Sequence, residues 1–382
     1  MFDAFTTRSG LLALRLDPLA LSSTDLAAWT DLADRAADPN PFFRPGLIVP
    51  DAEERGRPIT LAVIRDGERW LACLPLRRRR PSRNIPLPHL EGAVDAYTLF
   101  GSPLLDRSRL DDAAEAFIEL VRAQRGAASV ALPMFDPDSS TGEALLAAAT
   151  RLGMRATVLQ TAVRAAWRRP ADLEHAGAKL KRSDRKELTR RERLLTAHLG
   201  EPAVIVDRSA EPDAWEAFLA MEDSGWKAEQ GTAMRRRPGD AAFFRRMCAE
   251  MSSSGHLELV SLEGGDQSVA MECHLVDGTA LFSFKIAHDP AFRRFSPGSQ
   301  LKVRVIDRLA EQGFTVGDSC ASPTNAHMNR LWPDRRRIQT VLLPTGAPSR
   351  HLVRPAVWGK SVARRLRDDV IRVAVGGIAT PR

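Results

Sequence analysis

The chain has 382 residues, of which 44% are hydrophobic and 27% are charged, and its formal net charge is +7. This composition provides apolar side chains for sizeable cores and excludes an intrinsically disordered chain. No stretch approaches about 18 uncharged apolar residues, and the N-terminus lacks a basic region followed by an apolar one, so we expect neither a transmembrane helix nor a secretory signal. The four cysteines lie far apart and fit neither a disulfide framework nor a zinc site, which predicts a cytoplasmic protein without a metal.

The positive charge is concentrated in two segments. Residues 164–198 contain eleven Lys and Arg against five Asp and Glu, and residues 333–382 contain eleven against three. An anionic partner is expected to contact these segments, unless they are only solvated faces. Nucleic acid is one such partner, although few aromatic residues interleave with the basic ones.

The first half of the chain alternates helical and extended patterns. The stretch NPFFRPGLIVP at 40–50 is predicted to be irregular, with exposed aromatic side chains. The predicted elements are helices at 23–38, 108–125 and 141–152 and strands at 60–65, 70–76, 129–132 and 156–167.

The second half repeats this order after a long basic helix at 172–199. Its predicted elements are strands at 203–206, 256–262, 269–276, 279–287 and 314–317 and helices at 212–223, 241–251 and 297–312. The repeat predicts two related α+β domains in tandem, with mixed, largely antiparallel sheets flanked by helices. The expected divisions are an N-terminal domain at 1–167, a basic linker helix at 168–199, a C-terminal domain at 200–345 and a basic tail at 346–382.

The segment RRFSPGSQ at 293–300 has the features of an anion site. Ser296 is placed to be the N-cap of a helix, and Pro297 is placed as its first residue. The amides that follow would be free at the positive end of the helix dipole, and two arginines lie just upstream. An ordinary capped helix is the alternative, but it does not explain the arginine pair. The predicted residues for a pyrophosphate-bearing ligand are Arg293, Arg294, Ser296, Gly298, Ser299 and Gln300.

Short motifs between about positions 40 and 340 add to this picture. They are PFFRP (41–45), LPL (74–76), DSGWKAEQGTA (223–233), FKIAHD (284–289), FSPG (295–298), GDSCA (317–321) and LW (331–332). With three strands, a cationic loop at a helix N-terminus and a further strand, the chain resembles the GNAT acyltransferase core. Its loop departs from the usual Q/R-x-x-G-x-G/A pattern. In this departure the chain is similar to the BioF2-like or CelD-like acetyltransferases, which are relatives of the tandem-GNAT Fem transferases.

This resemblance implies an acyl-CoA-dependent N-acyltransferase, with acyl-CoA as co-substrate and an amine as acceptor. Amino sugars, polyamines and long-chain, sphingoid-type amines are the acceptor classes to consider. A backbone N–H on the strand at 281–287 would be the oxyanion donor. Two alternatives remain open: a Fem-like transferase whose segment 164–198 contacts aminoacyl-tRNA, and a non-catalytic component of polysaccharide or envelope assembly.

Four ionisable side chains are the catalytic candidates, and they are expected at strand ends that face one cleft. Glu272 and His274 are two residues apart and so share one face of a strand, as do Ser283 and Lys285. Asp318 follows a strand and is expected to open to the cleft. Ion pairing of Lys285 with Glu272 or Asp318, and a half-buried His274, are the structural alternatives. The candidates for contact with substrate are Trp226, Lys227, Glu229 and Cys320.

Apolar residues alternate with Lys and Arg at 351–375. A basic amphipathic segment of this kind can lie on an anionic membrane, which would place the protein peripherally at the inner face of the membrane. A terminal helix packed on its own domain is the alternative.

Overall fold

The computed structural model describes residues 4–82, 84–172, 177–225 and 230–346. The predicted substrate contacts Trp226, Lys227 and Glu229 and the segment 351–375 lie outside the described residues.

The first half contains eight strands and four α-helices in the described residues. In chain order these are β1 (Ala4–Thr6), β2 (Leu12–Leu16), α1 (Ser23–Asp34), α2 (Pro45–Glu54), β3 (Thr60–Asp66), β4 (Arg69–Arg79), β5 (His89–Gly92), β6 (Leu104–Leu105), α3 (Leu110–Ala123), β7 (Ser129–Phe135), α4 (Ser140–Arg151) and β8 (Thr157–Arg168).

The second half continues with the elements that surround the candidate site. They are α5 (Arg182–Leu199), β9 (Val204–Asp207), α6 (Pro212–Glu222), α7 (Asp240–Ser253), β10 (Leu257–Gly264), β11 (Gln267–Asp277), β12 (Ala280–His288), α8 (Pro297–Arg308), β13 (Val316–Asp318), α9 (Ala326–Leu331) and β14 (Asp334–Pro344). A 3₁₀ helix, Pro290–Phe295, connects β12 to α8.

All strands join one 14-stranded mixed sheet in the order β1-β2-β3-β4-β5-β7-β14-β8-β13-β12-β11-β10-β9, with β6 beside β4. Most neighbours are antiparallel, but β5 pairs with β7 and β12 pairs with β13 in parallel. Each half therefore contains one parallel pair. The predicted mixed α+β architecture is confirmed.

The two halves exchange strands at the centre of this sheet. β14 pairs with both β7 and β8, and β8 also pairs with β13. The predicted linker helix at 168–199 is wrong at its start, because Arg168 ends β8 and α5 begins at Arg182. Pro170 lies between them and cannot donate a helical hydrogen bond. The division of the chain into domains stays a prediction, since the sheet runs across it.

The segment at 40–50 is helical rather than irregular. Pro45 occupies the first turn of α2, where its missing N–H costs nothing. Phe42 and Phe43 are fully buried, contrary to the expected exposed aromatics. Phe42 packs edge-on against Phe282 of β12 at a centroid distance of 5.7 Å, so this segment joins the first half to the second.

Candidate functional site

The chain enters α8 through a left-handed turn at Ser296, whose φ and ψ are 53° and 52°. Ser296 is the N-cap residue and Pro297 is the first helical residue, as predicted. Its side chain makes no capping hydrogen bond, however, and its Oγ instead accepts one from the guanidinium of Arg191 on α5. A residue of the basic helix is therefore fixed directly at the beginning of α8.

One backbone amide at this helix start is available to a ligand. The amides of Ser299 and Gln300 both donate to the carbonyl of Ser296, at 3.0 and 3.2 Å. Within the described part of the chain, the amide of Gly298 has no hydrogen-bond partner, and Gly298 is half-buried. The expectation of free amides at both Gly298 and Ser299 is therefore corrected to Gly298 alone.

A cavity of about 250 Å³ opens in front of this helix start, between α5, α8 and α9. Its wall combines apolar, cationic and acidic side chains. The lining residues are Leu180, Asp184, Glu187, Leu188, Arg191, Ser296, Ser299, His327, Arg330 and Leu331. The cavity makes the beginning of α8 accessible, which an anion site requires.

The cationic residues of the cavity differ from those predicted. Arg293 and Arg294 are exposed and do not line it, and Arg294 stacks on the ring of Phe295 at 4.6 Å. Gln300 is buried, and its Nε2 donates to the carbonyl of Phe295 at 2.9 Å. Arg293, Arg294 and Gln300 therefore do not line this cavity, and their predicted contact with a pyrophosphate stays a prediction.

Glu272 lies at the centre of a buried charged cluster beneath α8. Lys302 of α8 donates to Glu272 Oε1, and His274 Nε2 lies 2.9 Å from the same oxygen. His274 Nδ1 lies 2.9 Å from Glu258 Oε2. Glu272 and His274 do lie on one face of β11, but neither is exposed, so this face packs under α8 rather than opening to a cleft. Sequence reasoning missed Lys302.

The neighbours of His274 favour its protonated form. Burial opposes its protonation, but Glu272 and Glu258 outweigh burial and raise the pKa of His274 from 6.5 to about 9. Burial likewise opposes ionisation of Glu272, yet Lys302 and His274 lower the pKa of Glu272 from 4.5 to about 2. The ionised form of Glu272 and the protonated form of His274 are therefore both favoured near neutral pH.

Replacement of His274 by glutamine is expected to change how stability depends on pH. The folded-state pKa of His274 is raised, so its contribution is complete below pH 6.5 and is lost as the pH rises through about 9. Thermal unfolding of the wild type should show this loss between those values, and unfolding of the variant should not. Parallel slopes for the two proteins across this range would contradict the assignment.

A β-bulge on β12 separates two side chains that were expected on one face. His274 pairs with Ser283 and Cys273 with Lys285, so Phe284 is an extra residue on β12. The expectation that Ser283 and Lys285 share a face is therefore wrong, because the bulge interrupts the alternation of side chains.

The two side chains have different surroundings. Ser283 Oγ donates to Glu272 Oε1 at 3.3 Å, beneath α8. Lys285 Nζ lies 4.5 Å from the ring centroid of Tyr97, which comes from the first half of the chain. The ion-pair partner of Glu272 is thus Lys302 and not Lys285.

Asp318 is fully buried and does not open to a cleft. Its Oδ2 accepts from Arg164 at 2.7 Å and from Arg336 at 2.9 Å, and its Oδ1 accepts from the amide of Cys320 at 2.9 Å. Burial opposes ionisation, but these partners hold the pKa of Asp318 below its usual value. The strand exchange explains the error, because it places β8 and β14 with their arginines beside this residue.

Cys320 lies next to this buried ion pair. Burial raises the pKa of its thiol, and the nearby Asp318 carboxylate raises it further. Because the thiolate is the reactive form, Cys320 is unsuited to be a nucleophile.

Comparison with known families identifies the second half. Residues 182–325 match the model of a family described as the acetyltransferase (GNAT) domain. This part of the chain is a GNAT acetyltransferase domain. It contains α5, the bulged strand β12 and the start of α8, and so most of the cavity wall. No curated protein is detectably similar in sequence to the chain.

Solved structures with the GNAT fold match nearly the whole chain. The C-terminal domain of a protein described as a lysylphosphatidylglycerol synthetase from Agrobacterium fabrum has a TM-score of 0.51 at 16% identity, covering 85% of this chain and 93% of its own. FemX has a TM-score of 0.53 at 10% identity, covering 86% and 96%. L-PGS from Bacillus licheniformis has a TM-score of 0.51 at 10% identity, covering 85% and 92%. At these identities the likeness establishes the shared fold.

Two further observations concern the described residues only. None of their helices is both long and apolar enough to span a membrane. They contain no cluster of His, Cys, Asp and Glu side chains that could hold a metal ion.

Proposed function

We propose that this GNAT acyltransferase takes its acyl group from a CoA thioester and transfers it to an amine. One observation supports this most strongly: Ser296 and Ser299, which flank the unpartnered amide of Gly298 at the start of α8, line a cavity that Arg191 and Arg330 also line. A helix N-terminus with a free amide and two guanidiniums is suited to a diphosphate, because all of these groups donate hydrogen bonds to oxygen anions.

Glu187, one of the two acidic side chains that line the cavity, is already paired with arginines. Glu187 accepts from Arg190 Nε at 2.8 Å and from Arg191 Nε at 2.7 Å, so its charge is compensated. These ion pairs hold the pKa of Glu187 at about 2. Arg191 donates from different nitrogens to Glu187 and Ser296. It is thereby held at the beginning of α8, where a diphosphate would bind.

The thioester carbonyl would lie at the bulge of β12. Past residues 280–282, which pair with β13, β12 has no partner on that side among the described strands. The extra residue Phe284 leaves a backbone N–H outside the β11 ladder, in the part of the strand where the resemblance predicts the oxyanion donor. The amine would attack the carbonyl carbon, the C–S bond would break, and CoA would leave as the thiol with the proton that the amine loses.

The acceptor side of the reaction would involve the first half of the chain. Tyr97 contacts both Lys285 and Phe284, the latter at a centroid distance of 6.1 Å. Lys285 therefore lies beside the bulge and remains our candidate for contact with the reacting groups. Asp318 and His274 are not proposed as bases, since one is ion-paired and the other is protonated. Amino sugars, polyamines and long-chain amines are the acceptors to test.

Replacing Arg191 and Arg330 together by alanine is expected to weaken acetyl-CoA binding by about 100-fold or more, since each hydrogen bond to a charged group contributes about 1.5–3 kcal/mol. Isothermal titration calorimetry measures this directly. Arg193→Ala is the matched control, because Arg193 is exposed on the same helix and does not line the cavity. An unchanged affinity in the double variant, with the fold intact by circular dichroism, would contradict the proposed donor site.

A second candidate donor is aminoacyl-tRNA. The exposed face of α5 supports it, because Arg182, Lys186 and Arg193 lack carboxylate partners among the described residues. FemX and the lysylphosphatidylglycerol synthetases share the fold over most of the chain. Strong salt-dependent binding of tRNA, with none of acyl-CoA, would favour this donor.

Peripheral attachment to a membrane through 351–375 is a separate proposal. Binding of the protein to anionic lipid vesicles, measured with and without that segment, would test it.

A further inference from the structure

His327 occupies a distinctive position in the cavity. It lies on α9, the wall opposite α5, and is half-buried. Its Nε2 is 3.5 Å from Ser299 Oγ, one residue after the free amide of Gly298. A ligand bound at the beginning of α8 would therefore come within reach of the imidazole.

The charged groups around His327 come from three helices. Arg330 lies on α9 itself and Lys302 on α8, while α5 contributes Arg191, Asp184 and Glu187 to the cavity wall. Burial, followed by Arg330 and Lys302, lowers the pKa of His327 below 6.5. Without a ligand, the imidazole is neutral near pH 7, and one ring nitrogen has a free lone pair.

We propose that His327 is a third side-chain contact for the donor diphosphate, beside Arg191 and Arg330, and that binding of the donor takes up a proton at this imidazole. This inference rests on the proposed donor site. A diphosphate brings negative charge next to the ring and offsets the repulsion from Arg330, so the charged imidazole becomes favoured. The ring nitrogen with the lone pair takes a proton from the solvent, and its new N–H donates to a phosphate oxygen.

The expected consequence is a pH-dependent affinity for CoA. Because the bound form holds the proton more tightly than the free form, affinity falls as the pH rises, by at most about tenfold per pH unit for one proton. Arg191 and Arg330 cannot produce this dependence, since guanidiniums do not titrate in this range.

The test is titration calorimetry of CoA at pH 7 in buffers with different ionisation enthalpies, which gives the number of protons taken up on binding. We would compare the wild type with His327→Gln. Changes in the protonation of CoA itself contribute equally to the proton uptake of both proteins. The difference in proton uptake between them is therefore due to His327. His256→Gln is the control, since His256 does not line the cavity and contacts the carbonyl of Val276.

We expect the wild type and His256→Gln to take up a substantial fraction of a proton more than His327→Gln. His327→Arg, which carries a permanent charge, should bind CoA with no such excess uptake and so shows that the cavity remains intact. CoA binding with the same proton uptake in the wild type and His327→Gln would overturn the role of His327 and leave the donor site standing. The absence of saturable CoA binding in the wild type would remove the donor site and this inference together.

Discussion

Lys302→Met is expected to lower the free energy of unfolding by about 3–5 kcal/mol, because it leaves the carboxylate of Glu272 buried without its lysine. Lys302 is 4% exposed and Glu272 is fully buried, so water cannot replace the lost partner. The methionine keeps the length and the apolar stem of the side chain, so the substitution removes mainly the charge. This ion pair also joins α8 to β11, and its loss is expected to loosen the start of the donor site.

Chemical denaturation monitored by tryptophan fluorescence measures this effect. Lys186→Met is the matched control, since Lys186 is exposed on α5 and lacks a carboxylate partner among the described residues. We expect it to stay within about 0.5 kcal/mol of the wild type. The double variant Lys302→Met with Glu272→Gln should recover part of the loss, because the negative charge that Lys302 balanced is then removed as well. Equal stability of Lys302→Met and Lys186→Met would show that the buried ion pair of Lys302 and Glu272 does not stabilise the fold.

Asp318→Asn is also expected to lower the free energy of unfolding by about 3–5 kcal/mol, because it removes the negative charge that pairs with two buried guanidiniums. Arg164 is 2% exposed and donates to Asp318, and Arg336 divides its donors between Asp318 and Asp136. Since these arginines come from β8 and β14, the substitution weakens the junction where the two halves exchange strands.

Asp138→Asn is the matched control, because it makes the same substitution at the protein surface. Asp138 pairs with Arg337, and both side chains are about half exposed, so this pair is expected to contribute no more than about 1 kcal/mol. Denaturation of the two variants under identical conditions measures the difference. If Asp318→Asn were as stable as Asp138→Asn and had instead lost only turnover, Asp318 would be a catalytic group rather than part of a structural ion pair.

Local sequence patterns predicted those parts of the fold that depend on neighbouring residues. The three successive strands at 256–262, 269–276 and 279–287 were predicted, because the short turns between them depend on only a few residues. Ser296 and Pro297 correctly marked the start of α8. The central strand exchange was not predictable in this way, since β14 pairs with β7 across about 200 residues of sequence, and no local pattern specifies such a partner.

In the candidate site, too, local sequence patterns predicted only the parts that depend on neighbouring residues. Its helix start at Ser296 and Pro297 was predicted from sequence, whereas its side walls come from two other helices, α5 and α9. The excess of positive charge at 164–198 predicted that this segment contacts an anionic partner, but it did not distinguish Arg191 from the other basic residues. The bulge at Phe284 and the burial of Asp318 both arise from strand pairing. Strict alternation therefore placed Lys285 on the wrong face, and the position of Asp318 after a strand did not reveal that it is buried.

A crystal structure of the protein with bound CoA tests the central claim most directly. The account predicts that the diphosphate lies in the cavity at the start of α8, with an oxygen within hydrogen-bond distance of the Gly298 amide and with Arg191 and Arg330 on either side. CoA bound elsewhere, with this cavity empty and the Gly298 amide still without a partner, would contradict the account.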